Sequence, residues 1–180
     1  MSVMPVNNQL TREDLYALPD DGRRHELIDG AFFVTPAPGV GHQRMAFALA
    51  RVVHASCAGS GLEVLLGPLD VVLGPNVVQP DIVVAASADF TERGLPVAPL
   101  LVIEIRSAST ASIDEGRKRA LYEEHGVASY WLADPATPSI TVLELADGRY
   151  VQRGPAVGNE AIGITAPCSI TLNPAVLAGG

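Results

Sequence analysis

The run PLLVIEIRS, Pro99 to Ser107, constrains this chain more than any other stretch. It is almost continuously apolar, the mark of a strand buried on both faces in the middle of a sheet. Glu104 interrupts it, and a lone carboxylate there is costly unless it is paired or holds a metal. Asp81 raises the same question at the start of DIVVAA, directly after Pro80. Plainer readings stand beside the functional one: an Asp capping a turn at a strand end, and a Glu at a sheet edge facing water.

The rest of the chain says what surrounds that strand. A length of 180 residues suits one domain, 1–180, with a substantial core. Thr11 to Asp14 has capping-box spacing and opens a short helix that LPDDG ends. RRHELIDGAFFVT holds two short runs around Asp29-Gly30, a hairpin signal because a type I′ turn needs positive φ at both central residues. Residues 42–58 predict a helix, with Met45, Ala46, Leu49, Val52 and Val53 at helical spacing. LEVLL, LDVVLG and DIVVAA predict three strands. After the central strand, Ser112 to Glu115 forms a second capping box, opening a helix to about Gly126. SYWLAD predicts a strand, SITVLELADGRYVQ an Asp-Gly hairpin, and CSITL one strand in a Gly- and Pro-rich tail. The sum is a single α/β domain around a mixed sheet with strand-heavy ends.

Several chemistries are excluded. There is no P-loop, GVGHQR lacks the third glycine of a dinucleotide fingerprint, and no Ser or Cys sits in a nucleophile context. His25, His42, His54 and His125 show no metal-ligand spacing, so a zinc site is not expected. MSVMPVNNQL lacks the basic and apolar segments of a signal peptide, and no apolar run is long enough to span a bilayer. A cytoplasmic protein without membrane contact is the expectation. Cys57 and Cys168 read as two buried thiols in a reducing compartment. The net charge of −8 argues against a basic surface for non-specific nucleic-acid binding, though it permits a local cationic cleft.

Lys118 is the only lysine, against eleven arginines. Lysine is a compact point charge with a tunable pKa, whereas arginine is a planar fork that stays charged. Side chains at i and i+2 of a strand share a face, so Glu104 and Arg106 point the same way. In the helix that follows, about 100° of rotation per residue sets Asp114, Arg117 and Lys118 near the Leu121 direction, flanked by Ile113 and Ala120 on the buried side. The charges then lie at the boundary of the buried face, able to reach back over the strand end; a solvated helix face is the alternative.

In order, QPDIVV, LVIEIRSAST, the spacing Asp114-x-x-x-Lys118-x-x-x-Tyr122 and HGVASYWLADP resemble the Uma-type family of proposed restriction endonucleases. That family lies in the PD-(D/E)xK nuclease superfamily, and the opening RRHELIDGAFFVTPAPGVGHQR resembles its usual beginning. The likeness covers about residues 10–145, leaving a strand-rich extension over 146–180. It implies a restriction-endonuclease-like core: a mixed β-sheet flanked by helices, with additional β-hairpins. It implies Asp81 and Glu104 as metal-binding carboxylates, with the Ile105 backbone carbonyl as a further ligand. The catalytic lysine would come from the following helix as Lys118, while Arg106 occupies the superfamily's usual lysine position. Arg106 could bind phosphate but not transfer a proton at neutral pH, so which of the two cations serves stays open. Glu26, Asp114 and Tyr122 are accessory positions on the same resemblance. Mg²⁺ or Mn²⁺, DNA as partner and a homodimeric state complete the expectation, with phosphodiester hydrolysis as the reaction. A non-cleaving module that keeps the fold as a binding or assembly partner is the competing reading, favoured by the acidic charge. A nuclease acting on RNA or on a small phosphodiester is not distinguished from one acting on DNA.

Overall fold

The computed structural model describes residues 9–107 and 114–179. In chain order these form α1 (Arg12–Tyr16), β1 (Arg24–Ile28), β2 (Ala31–Thr35), α2 (Val40–Ser56), β3 (Leu62–Leu66), β4 (Val71–Leu73), β5 (Asn76–Val78), β6 (Ile82–Ala86) and β7 (Leu101–Ile105). A π-helical turn, Asp114–Lys118, leads into α3 (Arg119–Glu124). Then come β8 (Ser129–Asp134), β9 (Ser139–Ala146), β10 (Arg149–Val157), β11 (Ile162–Ile164), β12 (Ile170–Leu172) and α4 (Pro174–Leu177).

Among the described residues the central sheet is six-stranded, in the order β10-β9-β8-β7-β6-β3. Strand β7 pairs antiparallel with β6 and parallel with β8, so the sheet is mixed. All five residues of β7 are buried, as its apolar run demands. The pleat sends Ile82, Val84, Ile103, Ile105 and Trp131 to one face, under Met45, Leu49 and Val53 of α2 and Ile164, Leu172 and Leu177 of the C-terminal segment. Val83, Ala85, Val102, Tyr130 and Leu132 face the other way, against Ile28, Val71, Leu73 and Val78 and against Leu121 and Tyr122 of α3. Those first four belong to a second, antiparallel sheet, β2-β1-β5-β4. The sheet is therefore covered on both sides.

The turn chemistry explains the hairpins. Asp29 and Gly30 take φ of 52° and 72°, and Asp147 and Gly148 take 50° and 76°, the paired positive values of a type I′ turn. Thr11 accepts from the Asp14 amide while the Asp14 carboxylate accepts from Thr11, closing the capping box of α1.

The structure departs from the sequence reading in detail. LDVVLG is joined by a strand that was not predicted, β5, which pairs with β4 and β1 to build the second sheet. The tail carries β11 as well as β12, and ends in α4. Helix α2 starts at Val40 rather than residue 42, and Val52 stays 37% exposed because its face turns away from the sheet. Ser112 and Ile113 lie outside the described residues. Ala120 is exposed rather than buried, because the chain enters α3 through a π turn, whose extra residue per turn rotates the following residues off the ideal α spacing. Among the described residues no helix is long and apolar enough to cross a membrane.

Candidate functional site

The site forms where β6 and β7 part. Their ladder pairs Ile82 with Ile103, so one step beyond it Asp81 stands opposite Glu104, on the face covered by the second sheet. Instead of a further backbone bond, the Ile105 N–H donates to Asp81 Oδ2 at 2.8 Å. In an extended strand a residue's N–H and C=O point the same way, so the Ile105 carbonyl also faces this gap. At the end of β3, the Gly67 N–H donates to the Asp81 carbonyl at 2.9 Å. A Cβ on Gly67 would meet the Pro80 carbonyl at 2.5 Å, so only glycine allows this close approach.

Strand β1 supplies the opposite wall. Alternation directs Arg24 and Glu26 with Ile28 toward the large sheet, and His25 and Leu27 away from it. Arg24 Nη1 donates to Asp81 Oδ1 at 2.7 Å. The first turn of α2 brings His42 Nε2 to 3.0 Å from Asp81 Oδ2, and an acceptor-only carboxylate requires that nitrogen to carry the proton. Glu26 Oε1 accepts from the Gln79 N–H at 2.7 Å.

The π turn and α3 complete the cleft. Asp114 and Lys118 point inward and are buried, while Glu115, Gly116 and Arg117 between them are exposed. Lys118 Nζ lies 2.8 Å from Glu26 Oε1, 2.9 Å from Glu104 Oε1 and 3.9 Å from Asp114 Oδ1. Tyr122 donates its hydroxyl to Glu104 Oε1 at 3.0 Å, and the Tyr130 hydroxyl anchors the Asp114 carbonyl at 3.0 Å. Π-helical turns are rare and recur at functional sites.

Asp81, Glu104, Lys118, Glu26, Asp114 and Tyr122 are thus brought together, with Asp114 and Lys118 buried and Arg117 exposed rather than all three at a boundary. Arg106 lies beside them and outside the cleft. It pairs with Glu115 Oε1 at 2.6 Å and Asp134 Oδ2 at 3.7 Å. Sequence reading passed over two residues that converge on Asp81, Arg24 and His42. Arg24 was legible as the i−2 neighbour of Glu26 on one strand face; His42 carried no local signal.

The electrostatics are those of an over-acidic pocket. Glu26, Asp81, Glu104 and Asp114 line it against two permanent cations, Arg24 and Lys118. Burial pushes the Glu104 carboxyl well above the usual carboxylate range; Lys118 pulls against this, while Asp114, Asp81 and Glu26 add to it. Burial would raise Asp81 too, but the His42 hydrogen bond and charge, Arg24 and the Ile105 N–H outweigh it and hold that carboxyl below its ordinary value. Lys118 would be lowered by burial, yet Glu104, Glu26 and Asp114 keep its ammonium well above the usual lysine range. The cavity measures about 80 Å³, room for several waters, and the segment Thr35 to Gly39 walls one side.

A divalent ion suits this composition. With all four carboxylates ionised they outnumber the two permanent cations by two, with His42 as the remaining basic neighbour. Among the described residues no group of three or more His, Cys, Asp or Glu side chains is arranged around a metal position. The oxygen atoms at the strand gap are those of Asp81, already held by Arg24, His42 and the Ile105 N–H, and of Glu104, held by Lys118 and Tyr122; oxygen is the donor type that magnesium takes.

Comparison with known proteins agrees with this architecture. A family model described as "Uma2: Putative restriction endonuclease" matches residues 12–174. Among solved structures, the chain is similar to one described as a "putative nuclease belonging to DUF820 from Anabaena variabilis ATCC 29413". The TM-score is 0.78 and the identity 20%, over 94% of this chain and 97% of that one, a likeness of fold. No curated protein matches the chain.

Proposed function

The chain belongs to the Uma2 family, described as putative restriction endonucleases, and from that premise we propose that it is a divalent-metal-dependent endonuclease hydrolysing DNA phosphodiester bonds in the Asp81–Glu104–Lys118 cleft. The observation that carries this reading is the buried Lys118 ammonium held between Glu26 and Glu104, directly beside the strand gap that holds Asp81. A structural ion pair needs one carboxylate; this one gathers three around a single lysine.

Asp81, Glu104 and the Ile105 carbonyl would hold the metal. When bound, Mg²⁺ or Mn²⁺ supplies an acidified water and a Lewis acid for the phosphoryl oxygen. The protein's own residues do the rest. Lys118, kept protonated by its three carboxylates, cannot serve as a base; it stabilises negative charge growing on the phosphate. Tyr122 fixes the Glu104 carboxylate through Oε1, and Glu26 fixes the lysine. Arg24 reaches Asp81 from the cleft wall and offers the planar fork that binds a phosphate. A cleft this acidic repels a phosphodiester until a cation enters, so DNA binding and metal binding are linked.

Incubation of supercoiled plasmid with the protein tests the proposal. Nicking with Mg²⁺ or Mn²⁺, absent with chelator and absent in Asp81→Ala, Glu104→Ala and Lys118→Ala, is the expected result. Full activity in the three variants overturns the site assignment. The non-cleaving reading draws on the −8 charge and on the contacts Asp81 already makes with Arg24 and His42. It predicts no nicking by the wild type under any divalent ion.

A further inference from the structure

Cys57 and Cys168 lie 111 residues apart in the chain, and the nuclease reading uses neither. Cys57 caps the end of α2 and is buried in the core shared by α2 and the large sheet. Cys168 stands just before β12, partly exposed, and packs on the same core. Their Sγ atoms are 2.6 Å apart, against about 2.05 Å in a disulfide. Each backbone is anchored without help from the pair. The Cys57 N–H donates to the Val53 carbonyl at 3.0 Å, and the Ser60 N–H and hydroxyl donate to the Cys57 carbonyl at 3.1 and 2.6 Å. On the other side, β12 is held in register with β11 from Ile162–Leu172 to Ile164–Ile170. The fold therefore places the two sulfurs against each other, with each backbone held by its own hydrogen bonds.

We propose that Cys57 and Cys168 are a redox site, a dithiol that a small disulfide oxidant such as oxidised glutathione converts into an intramolecular disulfide. The Cys168 thiolate attacks one sulfur of the oxidant, whose S–S bond breaks and releases one glutathione thiolate. The Cys57 thiol then loses its proton and its sulfur attacks Cys168 Sγ, expelling the second glutathione. Two protein thiols are oxidised, one glutathione disulfide is reduced to two glutathiones, and the two thiol protons pass to them. Cys168 is the point of entry because it is the more exposed sulfur. Burial and the Cys168 contact lift the Cys57 thiol to about 12, so Cys57 is not the first nucleophile. The product staples the β11–β12 segment to the helix whose first turn brings His42 to Asp81.

The test uses the full chain, reduced, freed of reductant and incubated at mildly alkaline pH with oxidised glutathione. The expected product has no disulfide between chains and is about 2 Da lighter, with the Cys57 and Cys168 peptides linked within one chain. Its melting temperature is raised by roughly 10 °C, a gain that dithiothreitol reverses. Cys168→Ser removes both the mass loss and the shift. Two titratable thiols after prolonged incubation, a stable glutathione adduct on Cys168, or linkage between molecules instead of within one would each overturn the proposal. The mass measurement on the wild type carries the test even where a cysteine variant folds poorly.

Discussion

The two faces of the large sheet are built from the same strands and behave in opposite ways. Beneath α2, Ile82, Val84, Ile103, Ile105 and Trp131 form a wholly apolar layer. On the reverse, alternation along β6 and β7 carries Val83 and Val102 next to Asp81 and Glu104, two carboxylates that are 5% and 3% exposed. What separates the faces is the covering layer. Helix α2 meets its face mainly with apolar side chains, whereas β1 and the π turn bring Arg24, Glu26 and Lys118. A buried charge survives only where the layer above it supplies an opposite one. Both faces thus carry core, and the second also holds a charged cleft at the end of β6 and β7.

The largest effect expected from breaking that contrast is on cleavage. Asp81→Ala or Glu104→Ala should reduce plasmid nicking by at least about 10³-fold, and chelation of the metal should do the same.

Next in size is stability. Lys118→Met leaves Glu26, Glu104 and Asp114 buried without their shared cation, and should cost about 3–5 kcal/mol in denaturant unfolding. Adding Glu26→Leu and Glu104→Leu should recover most of that loss while cleavage stays abolished, making the charged face resemble the apolar one. On the apolar face, Ile140→Ala should cost about 2–5 kcal/mol through its cavity and leave Mn²⁺ affinity unchanged. A fall in Mn²⁺ affinity there would show the two faces to be coupled.

A pH series gives a smaller, graded effect. Burial raises the Glu104 carboxyl above the ordinary range, so below that raised value a bound cation must displace its proton. Mn²⁺ affinity should therefore rise with pH, by up to about tenfold per unit, and level off once Glu104 is ionised. In Glu104→Gln no Mn²⁺ binding should appear at any pH in the series. Arg106→Ala should have the least effect on cleavage, because its guanidinium is taken by Glu115 and Asp134 outside the cleft.

Much of the charged face was legible in the sequence because its residues break local patterns. Glu104 interrupts an apolar run, Asp81 opens one, and Lys118 stands alone among arginines. The Asp-Gly turns were legible for a related reason, since few residue pairs tolerate two successive positive φ values. What stayed hidden depends on contacts remote in sequence. Arg24 and His42 reach Asp81 across 57 and 39 residues; strand alternation from Glu26 gives the face of Arg24, and nothing near His42 announces its partner. Strand β5 is three residues long and is defined by its pairing with β4 and β1, not by its own composition. The π turn follows no period that a sequence displays, and it is what buries Asp114 and Lys118 together while exposing Ala120.

The most direct test of the central claim, that the charged face exists to hold a divalent cation, is a calorimetric titration of the wild type and of Glu104→Gln with Mn²⁺ near neutral pH. The account predicts one binding event in the wild type and its loss in the variant, with the variant still folded by circular dichroism. Equal binding in both proteins, or none in the wild type, would contradict it.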